Sequence, residues 1–564
     1  MAKSDRLKNN QANYQSKNML YDQGNNWLEK HSGWLTLAIT MIGLLVGVLT
    51  FDVKPSTGGD DSGYVLQAMD IVSKGDIPIG FRAPGYPLVL ALFIWLMGSN
   101  LILLKMTSLL FFLGVIFSAY VVFRKRLQAI ALYPVLLVIA IHPLLQEYAH
   151  QTYSEILFTL LIIWTIHFTI QASEKNSILV IAIAALFSMA AFYVRTVGVA
   201  AAGVIIIFLL WQRRWKQVVV FLIVCILLYS PLKIYEWISG AVPFGQTTGY
   251  FLKNYYNPTQ GLETWGGYIV RFTNNIINHL NYQFPAALGL PMPQELAGAD
   301  GQLIPSGAAF FGILVSIVFL LGCIIPIITK PKSMPAFLGI FVIAYVVFIS
   351  LALQNSISTI RMLIPIIPYL FIGTLEGVRL IGNRWAKVKD PDAVSARAKT
   401  LTILAVIVLI IFNVVGIKRM IQDNYPILKA NLAGNEFAGF TEDWSNYLRA
   451  SKWITNNLTK DSAGVICRKP ELFRLYAGNY NVYGAYKIDQ TDPDSIVAKW
   501  KMLRMTHLLY DNFQWSSTLR RYVQPVAEKY PQMFELLHQE GTQLPSYIFR
   551  LNYAILFDSK SSKK

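Results

Sequence analysis

The sequence predicts an all-α polytopic membrane bundle of about 11 transmembrane helices, with interfacial helices in the first external loop and a small C-terminal α/β extracytoplasmic domain. Three observations carry that expectation. Eleven apolar segments run through the first 417 residues. Lys and Arg crowd alternate connecting loops. Charged residues make up only 14% of the chain against a hydrophobic fraction of 54%, a balance suited to helices packed in lipid rather than around one soluble core.

The spans are expected at 34–51, 101–123, 127–144, 154–171, 177–194, 196–211, 217–233, 307–328, 335–353, 361–380 and 400–417. Trp34 to Phe51 and Leu101 to Phe123 carry almost no charge and are long enough to cross about 30 Å of hydrocarbon. Arg195 interrupts a long apolar run between 177 and 211; two spans there, rather than one, keep Arg213 and Lys399 on the same side. The first span follows a polar stretch without a small-residue cleavage site, so it reads as a retained helix.

Lys3, Arg6, Lys8, Lys17 and Lys30 precede the first span. The even-numbered turns carry Arg124-Lys125-Arg126, Lys175, Arg213-Arg214-Lys216, Lys330, Lys332 and the run from Arg379 to Lys399. Basic residues near short spans are retained inside, which predicts a multi-pass protein of the cytoplasmic (inner) membrane with residues 1–33 as a cytoplasmic tail. The opposite loops hold Asp60, Asp61, Asp70, Asp76, Glu147, Glu155, Glu236 and Glu263, so the chemistry is expected outside. A net charge of +17 concentrated in basic loops and the tail fits contact with anionic membrane lipid, and no nucleic acid is expected. Cys225 and Cys323 lie in apolar spans and Cys467 stands alone, so neither a disulfide framework nor a zinc spacing exists.

This divides the chain into the tail, a transmembrane module over 34–417 and a soluble domain over 418–564. Within the first external loop, 52–100, a polar helix-like stretch precedes the apolar Pro87 to Met97, too short to span and suited to the interface. The loop 234–306 is rich in Tyr, Trp and Asn, which argues for order. Past the last span, Thr441 opens a helix with Trp444, Tyr447, Leu448, Ile454 and Leu458 near one face, and Ala463 to Cys467 and Thr506 to Tyr510 read as short buried strands. Arg468, Lys469, Trp444, Trp453 and Tyr476 could contact a glycan there, although Trp at helical spacing is more often core.

The densest chemistry is Asp60-Asp61-Ser62-Gly63-Tyr64, just beyond the first span. Adjacent carboxylates repel, which raises the pKa of at least one unless a cation or hydrogen bonds compensate, so either is a candidate general base. Alone, the segment reads equally well as a solvated turn after Gly58-Gly59. Its company shifts that balance. Arg82-Ala83-Pro84-Gly85-Tyr86-Pro87 sets an arginine beside two prolines that stiffen the chain, and a positioned guanidinium suits a phosphate. The second external loop adds His142, Glu147, His150, Tyr153 and Glu155, the last at the mouth of a span where an acid is costly unless it faces a polar cavity. Arg195 and Arg361 occupy the external ends of their spans. A divalent cation stays open, with Asp60, Glu155 and His150 as its donors, although their spacing matches no ligand pattern.

These residues resemble the GT-C superfamily of polyprenyl-phosphate-sugar glycosyltransferases, in particular its protein O-mannosyltransferase and lipid A aminoarabinose transferase branches. The likeness rests on the acidic pair with Tyr64, the run at 82–87, Glu155, Arg195, and Arg361-Met362-Leu363-Ile364-Pro365, and it covers about residues 30–420. It implies Asp60 as catalytic acid or base, Asp61 and Glu155 as further catalytic acids, and Arg82, Arg195 and Arg361 as ligands of the donor phosphate. Tyr64, Tyr86 and His150 are candidate substrate contacts. The implied partners are a polyprenyl-phosphate-linked sugar donor and a lipid, glycan or protein acceptor. Where aminoarabinose transferases usually carry a lysine-proline run, this chain has Arg82-Ala83-Pro84-Gly85, a departure that leaves the aminoarabinose donor and lipid A acceptor open and the implied reaction type intact.

A tethered lipid donor needs no nucleotide fold, and the sequence has neither a P-loop nor a dinucleotide fingerprint. The Asp-Pro-Asp tripeptides at 390–392 and 492–494 read as proline turns. A transporter or flippase of lipid-linked sugars is the rival reading, but transporters carry midplane charges and inverted repeats that are not evident here. A glycan polymerase or ligase would use a large basic external loop, and 234–306 has only Lys253 and Arg271.

Overall fold

Among the described residues, eight helices are long and apolar enough to cross a membrane, and a ninth span results if Ala129–Ala140 and Pro143–Ala149, bent by 53°, count as one. The computed structural model describes residues 23–75, 77, 82–240, 249–255, 260–291, 296–297, 303–304, 310–331, 333–354, 359–388, 394–485, 491–514 and 518–554. Lys3, Arg6, Lys8, Lys17, Asp76, Lys332 and the tripeptide at 390–392 lie outside these, as does much of the loop 234–306.

In chain order the first helices are α1 (Ser32–Leu49), α2 (Asp60–Lys74), α3 (Gly85–Met97) and α4 (Leu101–Phe123), followed by α5 (Ala129–Ala140) and α6 (Pro143–Ala149). Next come α7 (Glu155–Lys175), α8 (Ile178–Val194), α9 (Gly198–Trp211), α10 (Trp215–Ser239) and α11 (Trp265–Asn278). The membrane module ends with α12 (Phe310–Thr329), α13 (Met334–Ala352), α14 (Ile367–Trp385), entered through a 3-10 turn at Ile360–Ile366, and α15 (Ala396–Leu432). The expected eleven spans are reached only by adding the bent pair and the two shorter apolar helices α8 and α9. The first loop folds as foreseen, into polar α2 and the short apolar α3, whose Trp95 is 72% exposed. The last helix continues through Leu432, so the boundary drawn at 417/418 falls inside it.

Two close approaches shape the bundle. A Cβ at Gly322 would stand 1.8 Å from the Gly373 carbonyl oxygen, and one at Gly377 2.0 Å from that of Val318, so α12 and α14 meet backbone to backbone. Between α8 and α9 the chain reverses at Arg195, extended at φ −147°, and a Cβ at Gly198 would lie 2.6 Å from the Phe192 nitrogen. That reversal holds the Arg195 side chain at the helix ends.

The C-terminal domain is a five-stranded sheet flanked by helices. With β1 (Leu296–Ala297) and β2 (Leu303–Ile304) forming a separate hairpin, its elements are α16 (Glu442–Asn457), β3 (Gly464–Cys467), α17 (Pro470–Ala477), β4 (Asn481–Gly484), α18 (Pro493–Met502), β5 (His507–Tyr510), α19 (Thr518–Lys529), β6 (Phe534–Glu540) and β7 (Ser546–Leu551). The order is β4-β3-β5-β7-β6, parallel across the first three and antiparallel across the rest. One face buries Trp444, Tyr447, Leu448 and Ile454 of α16, as their spacing foresaw, and the other buries Trp500 and Tyr522. Asp492 caps α18 through the Ser495 N–H and Asp494 pairs with Lys529, so the tripeptide at 492–494 is a helix start. Helix α17 packs against α2, and Lys469 just before it donates to the Gly58 carbonyl at 3.1 Å.

Asp511, directly after β5, is buried; one carboxylate oxygen accepts from the Phe513 N–H and the other has no hydrogen-bond partner among the described residues. Burial pushes its carboxyl up to about 6, with Arg468 offsetting part of the effect. A raised carboxyl pKa in the fold means folding takes up a proton, so this site's contribution falls as pH rises from about 4 to about 6. Asp511→Asn keeps the acceptor and removes the charge. It is expected to raise stability at pH 7 by roughly 1–3 kcal/mol and to flatten the pH dependence below 6, read by thermal unfolding of the full chain in detergent.

Candidate active site

Five charged side chains from five separate segments form an alternating row. Arg82 donates from Nη2 to Asp60 Oδ1 at 3.2 Å. Arg361 donates from Nη1 to Asp60 Oδ2 at 2.6 Å and from Nε to Glu155 Oε1. Arg195 donates from Nη1 to Glu155 Oε1 and, at 3.0 Å, to the Ser154 hydroxyl. The order Arg82, Asp60, Arg361, Glu155, Arg195 places three guanidiniums against two carboxylates. Glu155 is completely buried, whereas the Asp60 side chain is 39% exposed although densely surrounded by protein, so it lies on the floor of a concavity.

Local sequence explains why these residues converge. Asp60 opens α2 behind Gly59, whose φ of +84° suits glycine and turns the chain abruptly into the helix. Gly63 leaves the space in which Arg82 lies, since a Cβ there would be 2.3 Å from Arg82 Nη1. At Gly85 a Cβ would meet the Tyr193 backbone at 2.6 Å, so this glycine lets the start of α3 press against the end of α8, beside Arg195. The DDSGY and RAPGYP runs are therefore halves of one contact.

Aromatic rings line the row. The Arg82 guanidinium stands 5.3 Å from the Tyr64 ring centre, and that of Arg361 4.4 Å from Tyr153 and 5.9 Å from Tyr148. Tyr64 packs edge-on against buried Tyr86, and its hydroxyl lies 3.3 Å from Ser154 Oγ. Tyr86 reaches Ser108 instead.

The two aspartates take opposite electrostatic roles. Burial alone would raise the Asp60 carboxyl, but Arg361 and then Arg82 more than reverse that and hold it well below the usual carboxylate range. Asp61 is fully buried and its carboxyl is raised by desolvation, only partly countered by the Ser56 N–H, by Lys105 and by the Ser62 N–H. Asp61 hence ties the turn before α2, accepting from Ser56 at 2.5 Å and Ser62 at 2.7 Å, while Asp60 faces the opening.

The structure thus brings Asp60, Glu155, Arg82, Arg195, Arg361 and Tyr64 together, with Asp61 and Tyr86 directly behind. His150 is elsewhere. Its buried ring packs on Phe51 and lines a different cavity, beside Asp52 and Glu147. The cation site suggested by Asp60, Glu155 and His150 is accordingly corrected: among the described residues no three His, Cys, Asp or Glu side chains converge, because arginine stands between the two acids. Ser154, Tyr148 and Lys105 join the site without having been foreseen. Lys105 alone left a signal, as a cation inside an apolar span; its Nζ donates to the Lys54 carbonyl at 2.5 Å beneath the Asp61 turn.

No family model matches the sequence, and no curated protein does. Solved structures do. ArnT from Cupriavidus metallidurans in the apo state superposes with a TM-score of 0.55 over 92% of this chain and 98% of that one, at 13% identity. This chain has the GT-C fold. A second GT-C structure, ArnT bound to undecaprenyl phosphate, gives 0.52 over 93% and 99% at 13% identity. Archaeal oligosaccharyltransferase AglB from Archaeoglobus fulgidus, in complex with an inhibitory peptide and a dolichol-phosphate, gives 0.54 over 92% of this chain and 74% of that one at 11% identity.

Arg361 is the only member of the row that touches both acids. Replacing it by leucine leaves Glu155 with Arg195 alone and is expected to cost about 3–5 kcal/mol. In a thermal-unfolding cycle, Glu155→Gln should recover part of that loss in the double variant; strictly additive losses would show that the two side chains are not coupled.

Proposed function

We propose that the protein is an integral membrane glycosyltransferase that moves a sugar from a polyprenyl-phosphate carrier to an acceptor on the extracytoplasmic face, with inversion at the anomeric carbon. The observation that carries this reading is the alternating row, with its three guanidiniums against two carboxylates. One surplus positive charge at the mouth of a membrane bundle fits one phosphate from a lipid carrier. Undecaprenyl phosphate on ArnT and dolichol-phosphate on AglB are lipid phosphates held by the same fold. The excess of Lys and Arg in the loops away from the C-terminal domain supports the orientation.

In the resting site Asp60 is a weak base because two guanidiniums stabilise its anion. A donor phosphate competes for Arg82 and Arg361. As those arginines turn to the phosphate, the Asp60 carboxylate loses its partners and becomes basic enough to accept a proton. The acceptor hydroxyl or amine then attacks the anomeric carbon from the face opposite the phosphate. The new bond forms as the carbon–oxygen bond to phosphate breaks, the electron pair leaves with the polyprenyl phosphate, and Asp60 takes the acceptor's proton. The arginines stabilise the charge growing on the leaving group, already aimed at its oxygens. Glu155 keeps Arg195 and Arg361 oriented; Tyr64 walls the sugar side, with buried Tyr86 packed behind it.

Purified protein supplied with a polyprenyl-phosphate sugar tests the assignment. Asp60→Asn should lower turnover by about 10²–10⁴-fold while donor binding is kept or strengthened, because the competing anion is gone. Arg361→Ala should instead weaken donor binding. Near-normal turnover by Asp60→Asn rejects the base; unchanged donor affinity in Arg361→Ala rejects the phosphate site.

A further inference from the structure

A second cavity, of about 730 Å³, opens where α15 passes the loop after α1 and the bend between α5 and α6. It shares no residue with the arginine row. Its lower wall is Ile411, Phe412 and Val415 of α15, and Ile411 and Val415 are 53% and 42% exposed on the outside of the bundle, so the cavity opens sideways toward lipid. Its upper rim is polar and includes Arg419, Asp423 and Asn424 of the same helix. Asn424 donates to the carbonyl of Thr50, the residue that ends α1, which places that rim where the first span stops. Ile411 to Asn424 covers about 20 Å of helix, the reach of a lipid headgroup and the upper part of its chains.

The charges on the rim select among amphiphiles. Asp52 and Lys54 satisfy each other at 2.8 Å. Glu147 and Asp423 remain against Arg419, and among the described residues none of these three is in an ion pair. One acid is thus in excess over the cations. His150 lines the same cavity, buried, and among the described residues neither ring nitrogen is hydrogen-bonded to another residue.

We propose that this cavity is a binding site for an aminophospholipid from the leaflet on the side of the C-terminal domain. Its phosphate would meet Arg419, its primary ammonium would donate to Glu147 and Asp423, the unpartnered His150 ring would face its polar backbone, and one acyl chain would lie along Ile411, Phe412 and Val415. A primary ammonium carries three donors for carboxylates; a trimethylammonium has none, and the glycerol of phosphatidylglycerol carries no cation. The site is independent of the proposed sugar transfer, because its occupant is recognised without the arginine row.

Native mass spectrometry of the full chain in detergent, with short-chain phosphatidylethanolamine, phosphatidylcholine and phosphatidylglycerol supplied in turn, tests this. One phosphatidylethanolamine per chain is expected to be retained about tenfold more tightly than either other lipid. Glu147→Gln and Arg419→Gln should each reduce that retention, Val415→Trp should abolish it by filling the apolar wall, and Val415→Ile should leave it intact, which controls for folding. Equal retention of all three lipids, or retention indifferent to the Glu147 and Arg419 changes, overturns the headgroup assignment. Failure of any lipid to bind, or binding untouched by Val415→Trp, overturns the site.

Discussion

The row of alternating charge that starts at Arg82 and ends at Arg195 is the constraint on which the rest of the structure depends. Its members come from α2, the turn before α3, the start of α7, the end of α8 and the 3-10 turn before α14. Glu155 alone, fully buried, would be too costly to ionise; two arginines make it tolerable. Each arginine in turn needs its acid. Five ends of the fold are therefore held in register by electrostatics that apolar packing could not specify, since helices in lipid gain little by choosing one apolar neighbour over another.

The small residues around the row serve the same end. Gly63 and Gly85 are empty because Arg82 and the end of α8 occupy the space their side chains would fill. Gly58 lies under the Tyr153 hydroxyl and offers its carbonyl to Lys469. Through that bond and the packing of α17 on α2, the C-terminal domain braces the turn that carries Asp60. The domain is thus a support for the loop that carries Asp60 as well as a neighbour of it.

Much of this was legible in the sequence, for reasons that differ by residue. Apolar runs and basic loops outlined the bundle, because length and hydropathy are properties of single segments. The polar α2 and the short α3 could be read for the same reason, and so could the strands at 464–467 and 507–510. Asp60, Glu155 and the three arginines stood out because ionisable groups at the mouths of apolar helices need a polar reason to be there. The direction of the Asp60 shift was not legible. Two neighbouring acids suggested a raised carboxyl, and only the fold brings Arg361, far away in sequence, onto Asp60 in place of Asp61. His150 failed for a related cause: closeness to Glu155 along the chain says nothing about which cavity a ring enters once α6 has turned away.

An acid clamped by two cations is a poor base, and this gives the geometry its direction in time. Were Asp60 basic in the empty site, it would compete with the phosphate for Arg82 and Arg361 only weakly, and a proton could be taken before a donor was in place. In the proposed transfer, the same two guanidiniums would report whether the phosphate has arrived, and the carboxylate would become reactive only when they leave it. Glu155 would keep the row from collapsing during that proposed exchange, because it pairs with both Arg361 and Arg195 and not with Asp60's other partner, Arg82. The unequal exposure of the two acids follows from this division. Asp60, 39% exposed, can lose its partners to a ligand from the cavity, whereas Glu155, wholly buried, has no competitor that could reach it.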